Sequence, residues 1–362
     1  MDRSEALVRL LEQTGFAGAE RSPLPGDAST RRYERLRLGD RRAMLMDAPP
    51  SAESKPCPPG ATPAERRSMG WNATARLAAS RVEAFVAVAN YLDGLGLAPP
   101  QIYGADCEAG YAVIEDLGDD LYAHIIAHGA DEVPLYEEAA RVLAHVHQAP
   151  PAPSRLEGAG NAAWPLLEYD ALALEVNADL FVEWLPRAAD VRIDDAARAR
   201  WERVRDSLIV KALGFPRAFT IRDYHAENLL WLPQRDGLKR VGLLDFQDAI
   251  RGWRGWDFSM LLHDARRDVS PAAHRAAVRA YLQASGGGEA DLQRELAVLG
   301  AINTMRILGI FSRLTARDNK PRYLAFMPRM WGHLGRTLEH PSLADARTFV
   351  ESVARPYLEQ AA

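Results

Sequence analysis

Asp223, Asn228 and Asp245 are the residues whose types and spacing can do chemistry. They stand in Thr220-Ile221-Arg222-Asp223-Tyr224-His225-Ala226-Glu227-Asn228-Leu229-Leu230-Trp231 and in Val241-Gly242-Leu243-Leu244-Asp245-Phe246-Gln247-Asp248. An aspartate, an asparagine five residues on and a second aspartate after an apolar strand are what phosphoryl transfer from ATP requires. One carboxylate takes the proton of the attacking hydroxyl, while the asparagine and the other carboxylate hold magnesium against the triphosphate. The apolar run after Asn228 reads as a short buried strand, Gln234-Arg235-Asp236-Gly237 as a turn, and Val241-Gly242-Leu243-Leu244 as the returning strand. Such a hairpin puts Asn228 and Asp245 side by side at its strand ends. A carboxylate following so apolar a run calls for a cation, because an unpaired buried charge is very costly.

The elements that must position this hairpin follow a strand-then-helix order. Residues 4–13 carry Leu7, Leu10 and Leu11 at helical spacing, ended by Gly15. A small polar turn, Gly26-Asp27-Ala28-Ser29-Thr30-Arg31-Arg32-Tyr33, leads into an alternating stretch, and Ala43-Met44-Leu45-Met46 reads as its hairpin partner. Residues 48–59 are proline-rich, a surface insertion that the sequence leaves open as disordered, a lid or a contact surface. Residues 77–95 have helical periodicity, and 101–105 and 111–114 read as two further strands. Downstream, helices dominate apart from the catalytic hairpin. The expectation is an α+β protein with a sheet-rich first lobe over 1–117, an insertion at about 49–69, and a larger helical second lobe over 118–362. The join, Tyr111-Ala112-Val113-Ile114-Glu115-Asp116-Leu117-Gly118-Asp119, is either an edge strand and turn or the hinge of a two-lobed ATP enzyme.

Composition agrees. A chain of 362 residues, 48% hydrophobic, can bury a core large enough for two lobes, and a net charge of −5 has no basic excess for nucleic acid. Cys57 and Cys107 make no disulfide framework. With neither a signal-peptide pattern nor an apolar run approaching the roughly 20 residues of a membrane span, the sequence predicts a soluble, cytoplasmic protein. It leaves the oligomeric state open.

Ile221-Arg222-Asp223…Asn228, Leu244-Asp245-Phe246-Gln247-Asp248-Ala249 and Trp256-Asp257-Phe258-Ser259 resemble the signature of the aminoglycoside phosphotransferase and choline kinase-like superfamily, which shares the protein kinase fold. Gly26-Asp27-Ala28-Ser29, Met46-Asp47-Ala48-Pro49-Pro50, Glu115-Asp116-Leu117-Gly118-Asp119 and Arg306-Ile307-Leu308-Gly309-Ile310-Phe311 are similar to one branch of it. That branch is the N-acetylmuramate/N-acetylglucosamine kinases of peptidoglycan recycling. The resemblance implies Asp223 as base, Asn228 and Asp245 as magnesium ligands, and Glu115, Asp116 and Leu117 as the adenine hinge. It implies Asp27, Ala28, Ser29, Thr30, Arg31 and Arg32 as the loop over the phosphates, and a structural role for Asp257, capping or bracing the helix from Phe258. ATP and Mg2+ are the implied cofactors and a small amino sugar the implied acceptor.

Three departures stand out. The family's histidine two residues before the base is Ile221, which implies different local packing. The strand that usually carries an ATP-contacting lysine has Met46 at that nucleotide-side position, so Arg31, Arg32 or a magnesium ion must neutralise the phosphates. The insertion has no family role. For the acceptor, Glu175, Glu183, Asp264 and Asp268 would suit a polycationic aminoglycoside, whereas Arg306 and Arg313, seven apart on one helix, would suit a carboxylate. His225 is placed at the substrate or backbone side of the loop, and Trp253 and Trp256 either stack on a sugar or anchor packing. Two rival readings remain. Asp223-Tyr224-His225 also fits a metal-dependent phosphoesterase, which would need further His and Asp ligands. A pseudokinase would use the fold only for contacts.

Overall fold

The computed structural model describes residues 2–25, 31–50, 58, 60–69 and 81–360. In chain order the elements are α1 (Arg3–Gln13), β1 (Glu20–Pro23), β2 (Arg32–Leu38), β3 (Arg41–Asp47), α2 (Pro63–Ser68), α3 (Val82–Gly94), β4 (Ile102–Asp106) and β5 (Tyr111–Ile114). There follow α4 (Tyr122–Ala127), α5 (Glu132–Gln148), β6 (Arg155–Glu157), β7 (Ala163–Pro165), α6 (Ala171–Trp184), α7 (Asp195–Leu213), β8 (Ala218–Thr220), β9 (Leu229–Trp231), β10 (Val241–Leu243) and β11 (Ile250–Gly252). The chain closes with α8 (Arg254–Leu262), α9 (Pro271–Ser285), α10 (Glu289–Ala316), α11 (Met327–Leu338) and α12 (Ala344–Gln360).

The first lobe is a five-stranded antiparallel sheet ordered β1-β2-β3-β5-β4. Period-two alternation in β3 sends Ala43 and Leu45 to the face covered by Leu10 of α1 and Phe16. Met46 goes to the opposite face, with Ala112, Ile114 and the apolar side of α3. The expected strands at 43–46 and 111–114 are present, and the periodic helix begins at Val82, residues 70–80 lying outside the described ones. Strand β1 was not legible because Glu-Arg-Ser-Pro is exposed at every position of a sheet edge and carries no burial signal.

Within the insertion, residues 60–69 are a contact surface. Thr62 and Glu65 form a capping box that starts α2. Arg66 then pairs with Asp170 at 2.6 Å and Arg67 with Glu175 at 2.8 Å, both partners belonging to the start of α6 in the helical lobe.

That lobe packs around α10. Among the described residues α10 is long and apolar enough to cross a membrane by length and composition, but 94% of its apolar window is buried inside the fold. Its apolarity is that of a core helix. Gly309 lets α10 approach α6 closely: a Cβ there would lie well inside 3.0 Å of the Leu180 carbonyl. Backbone cannot swing aside as a side-chain tip can, so the helices must separate. Gly309→Ala should therefore cost about 1–3 kcal/mol by chemical denaturation. Unchanged stability would show that the two helices slide freely.

Candidate active site

β9 and β10 pair antiparallel with Leu229 opposite Leu243 and Trp231 opposite Val241. The Leu244 N–H donates to the Asn228 carbonyl at 2.9 Å, which extends the ladder by one rung and sets Asn228 beside Asp245. The hairpin read from the sequence is thus present, with residues 237–240 forming a 3₁₀ turn in its connection.

The catalytic loop leaves β8 at Ile221, and Arg222 adopts a left-handed backbone with φ of 82°. For a non-glycine residue this costs on the order of 1–3 kcal/mol and persists only where surrounding contacts hold it. The contacts come from Asp257, whose carboxylate accepts the Ile221 N–H at 2.6 Å and the Arg222 N–H at 2.7 Å. Asp257 is fully buried, and burial pushes its pKa up against the opposing pull of His147, 3.6 Å away, and the two amides. The expectation that it caps or braces a helix from Phe258 needs correction. Helix α8 already begins at Arg254, and a buried carboxylate seeks donors, which here are the unpaired amides of the neighbouring loop. With the family histidine absent, Ile221 packs into the core and the loop is held through its backbone.

Asp223 follows, a quarter exposed, with the Arg222 guanidinium 3.6 Å from its Oδ2. Asn228 Nδ2 donates to the Asp223 carbonyl at 2.8 Å, which ties the two positions together and leaves the Asn228 amide oxygen without a protein partner among the described residues. Tyr224 anchors the loop to α5 by donating to the Ala139 carbonyl at 3.0 Å.

Asp245 is also left-handed, with φ of 54°. Its Oδ1 accepts from Gln247 Nε2 at 3.0 Å and forms an ion pair with Arg31. Burial pushes its pKa up, but Arg31 and Gln247 outweigh that and hold it below the ordinary carboxylate value. Arg31 thus brings to the cleft a cation that β3 does not supply.

Arg31, Asn228 and Asp245 line a cleft of about 520 Å³, and Asp223 lies outside that lining. Met44, Phe85, Ile114 and Leu230 give the cleft its apolar wall, and residues 115–119 edge it. The Glu115 N–H donates to the Gln101 carbonyl at 2.8 Å, and its carboxylate is turned to Arg235 and to the Gln101 N–H. Asp116 pairs with Arg35 at 2.8 Å. Leu117 lines the cleft directly.

Other expected site residues stand elsewhere. Asp27, Ala28, Ser29 and Thr30 lie outside the described residues. Arg32 is exposed, opposite Asp47 in the sheet register and off the cleft lining. Met46 is fully buried with its sulfur 3.5 Å from Tyr33 Oη, and it is Met44, on the same face, that lines the cleft. His225 is held by its own loop and by Arg266: Nδ1 accepts the Glu227 N–H at 3.3 Å, and Nε2 lies 3.3 Å from Asn228 Nδ2 and 3.4 Å from Arg266 Nη1. It positions the loop. Trp253 and Trp256 are fully buried and pack edge-on against Tyr169, as packing anchors.

Of the two arginines on α10, Arg306 is 5% exposed and close enough to Asp223 for their charges to interact. Arg313 is half-buried near Arg317, Asp318 and Glu183. The phosphoesterase reading needs a cluster of ligands, and among the described residues no group of three His, Cys, Asp or Glu side chains is arranged to hold a metal ion. Sequence reasoning missed the roles of Asp257, His147 and Tyr169. The alternation that pairs Met44 with Met46 could have found the cleft-lining methionine.

A family model described as phosphotransferase enzyme family (APH) matches residues 20–295. An N-acetylmuramate/N-acetylglucosamine kinase of Caulobacter vibrioides is 50% identical over 354 residues, covering 97% of this chain and 96% of the relative. One of Pseudomonas aeruginosa is 33% identical over 345 residues, 92% of this chain and 89% of the relative. A solved choline/ethanolamine kinase family protein from Mesorhizobium loti aligns with a TM-score of 0.56 at 16% identity, over 97% of this chain and 100% of that one. A microcompartment-associated aminopropanol kinase aligns with a TM-score of 0.57 at 13% identity, over 94% and 98%. The solved structures carry the fold, a kinase-like pairing of a sheet lobe with a helical lobe, and the family match covers the cleft and its hairpin. The chain belongs to the phosphotransferase enzyme family.

Proposed function

We propose that this chain transfers a phosphoryl group from ATP to the anomeric hydroxyl of a free amino sugar, N-acetylmuramate or N-acetylglucosamine, in cytoplasmic recycling of cell-wall sugars. The observation that carries the reading is the Asn228 bridge: its side-chain nitrogen holds the Asp223 backbone while its backbone carbonyl pairs with Leu244, the residue before Asp245. One residue thereby links the base to the metal ligands. The named relatives, similar over nearly their whole length, supply the acceptor class.

The cleft fits the nucleotide by chemistry. Its apolar wall suits a flat base, and the Glu115 carbonyl and Leu117 N–H make no protein hydrogen bond among the described residues. On this reading the hinge at 115–117 divides a lobe over 1–117 from one over 118–362. Two oxygen donors, from Asn228 and Asp245, fit magnesium, which keeps waters and completes its shell with phosphates. When bound, the ion neutralises charge developing on the leaving phosphates. Arg31 lines the same cleft to meet the phosphate charge. Asp223 accepts the acceptor proton; an anomeric hydroxyl is more acidic than an ordinary alcohol, so a carboxylate of modest basicity suffices.

A polycationic acceptor is less well served. Asp268 is paired with Arg329 at 2.7 Å, Glu175 with Arg67 at 2.8 Å, and buried Asp264 accepts the Arg266 N–H at 2.8 Å. The test is purified protein with magnesium, ATP and each sugar or kanamycin, followed by mapping of the phosphate. Transfer to the anomeric oxygen of either sugar is expected. Turnover of kanamycin with neither sugar accepted overturns the reading.

A further inference from the structure

Arg306 and Tyr169 stand in the helical lobe close enough to Asp223 to feel its charge, and both are buried with few polar partners. Arg306 Nε donates to the neutral Asn303 Oδ1 at 2.9 Å, and among the described residues Arg306 enters no ion pair. Its guanidinium rests 5.4 Å from the Trp256 ring centroid. Arg222, buried to a similar degree, differs in having Asp223 and Asp248 at 3.6 and 3.4 Å. Desolvation pulls the Arg306 pKa down, as it must for a buried cation lacking a carboxylate. Such a charge costs several kcal/mol unless an anion reaches it.

Among the described residues the terminal nitrogens of Arg306 have no protein acceptor, yet they are not among the atoms sealed from solvent. The 5% of the residue that stays exposed is therefore at its guanidinium tip. Tyr169 supplies the second, independent observation. It is fully buried, and among the described residues its hydroxyl makes no hydrogen bond of ordinary geometry, with the Arg222 guanidinium its nearest donor. That hydroxyl interacts electrostatically with Arg306, Arg222 and Asp223. Its backbone is fixed by the Tyr169 N–H to the Arg251 carbonyl at 3.1 Å and by Arg217 Nη1 to the Tyr169 carbonyl at 2.7 Å, so the ring cannot drift away.

We propose that Arg306, assisted by the Tyr169 hydroxyl, is the specificity-determining receptor for a carboxylate on the acceptor. A guanidinium offers two parallel N–H donors to a carboxylate, and a phenol adds a third. The inference rests on the amino-sugar reading and deepens it: of the two sugars, the one bearing a carboxylate makes this contact and the neutral one does not. Arg313, among Arg317, Asp318 and Glu183, takes no part.

The test compares N-acetylmuramate, its methyl ester and N-acetylglucosamine as acceptors for the intact protein and for Arg306→Gln. In the unaltered protein, esterification should raise KM about ten- to a hundredfold with kcat little changed, the usual scale for a charge-assisted contact. Arg306→Gln should lower kcat/KM for the acid about ten- to a hundredfold more than for N-acetylglucosamine. Should the variant fail to fold, the ester decides alone. An ester used as well as the acid, or a folded Arg306→Gln that loses both sugars equally, overturns the proposal. If the intact protein phosphorylates neither sugar, the acceptor assignment itself has failed and the receptor falls with it.

Discussion

Asp223→Asn should lower kcat by about 10²- to 10⁴-fold while nucleotide affinity stays near that of the unaltered protein. Asp245→Ala should remove both turnover and magnesium-dependent nucleotide binding. The difference follows from what each carboxylate faces. Asp223 is partly open and flanked by Arg222, and an amide there keeps the shape but cannot take a proton. Asp245 is the acidic member of the pair at the hairpin's end, and its loss also strips Arg31 and Gln247 of their shared partner. Nucleotide titration with and without magnesium, beside steady-state rates, separates the two. Equal loss of nucleotide binding in both variants would show that the roles are misassigned.

The second large effect is expected at Asp257, which touches neither cleft nor substrate. Asp257→Ala leaves the Ile221 and Arg222 amides buried without acceptors, at about 1–3 kcal/mol each. It also removes the contact that sustains the left-handed Arg222. Stability should drop by roughly 2–6 kcal/mol in denaturant, and kcat by at least about a hundredfold as Asp223 loses its setting. Asp257→Asn, which keeps one acceptor oxygen, should fall between. A variant with native stability and rate would mean that the loop holds itself.

What could be read from the sequence was local. Asp223, Asn228 and Asp245 lie within one hairpin and its flanks, so spacing and apolar runs suffice to bring them together. The strands at 43–46 and 111–114 were legible because burial alternates along them. The Asp257 brace joins residues 35 and 36 apart through an acid that, in sequence, looks like part of a helix start. Tyr169 and Arg306 are farther apart still, and no periodicity announces that the loop before α6 and the helix α10 will bring them near each other. Strands β6 and β7, each three residues long, are too short for alternation to register. The fold class was legible from element order, whereas the groups that hold the catalytic loop depend on long-range packing.

The pairing of Arg66 with Asp170 and Arg67 with Glu175 bears on the enzyme's working cycle. The chain leaves the sheet after β3, fastens to the start of α6 and then returns to the sheet as α3. An electrostatic clasp thus ties the segment that follows the sheet to the helical part of the chain. If the opening that releases spent nucleotide unfastens the clasp, its solvent-exposed member, Arg67, makes that step sensitive to salt. Escape of ADP should accordingly quicken as ionic strength rises, and Arg66→Gln with Arg67→Gln should flatten that dependence in a stopped-flow release experiment. An equally steep salt response in the double variant would place the barrier to release elsewhere. If the clasp governs release, turnover in this protein is timed in part by ion pairs outside the cleft lining.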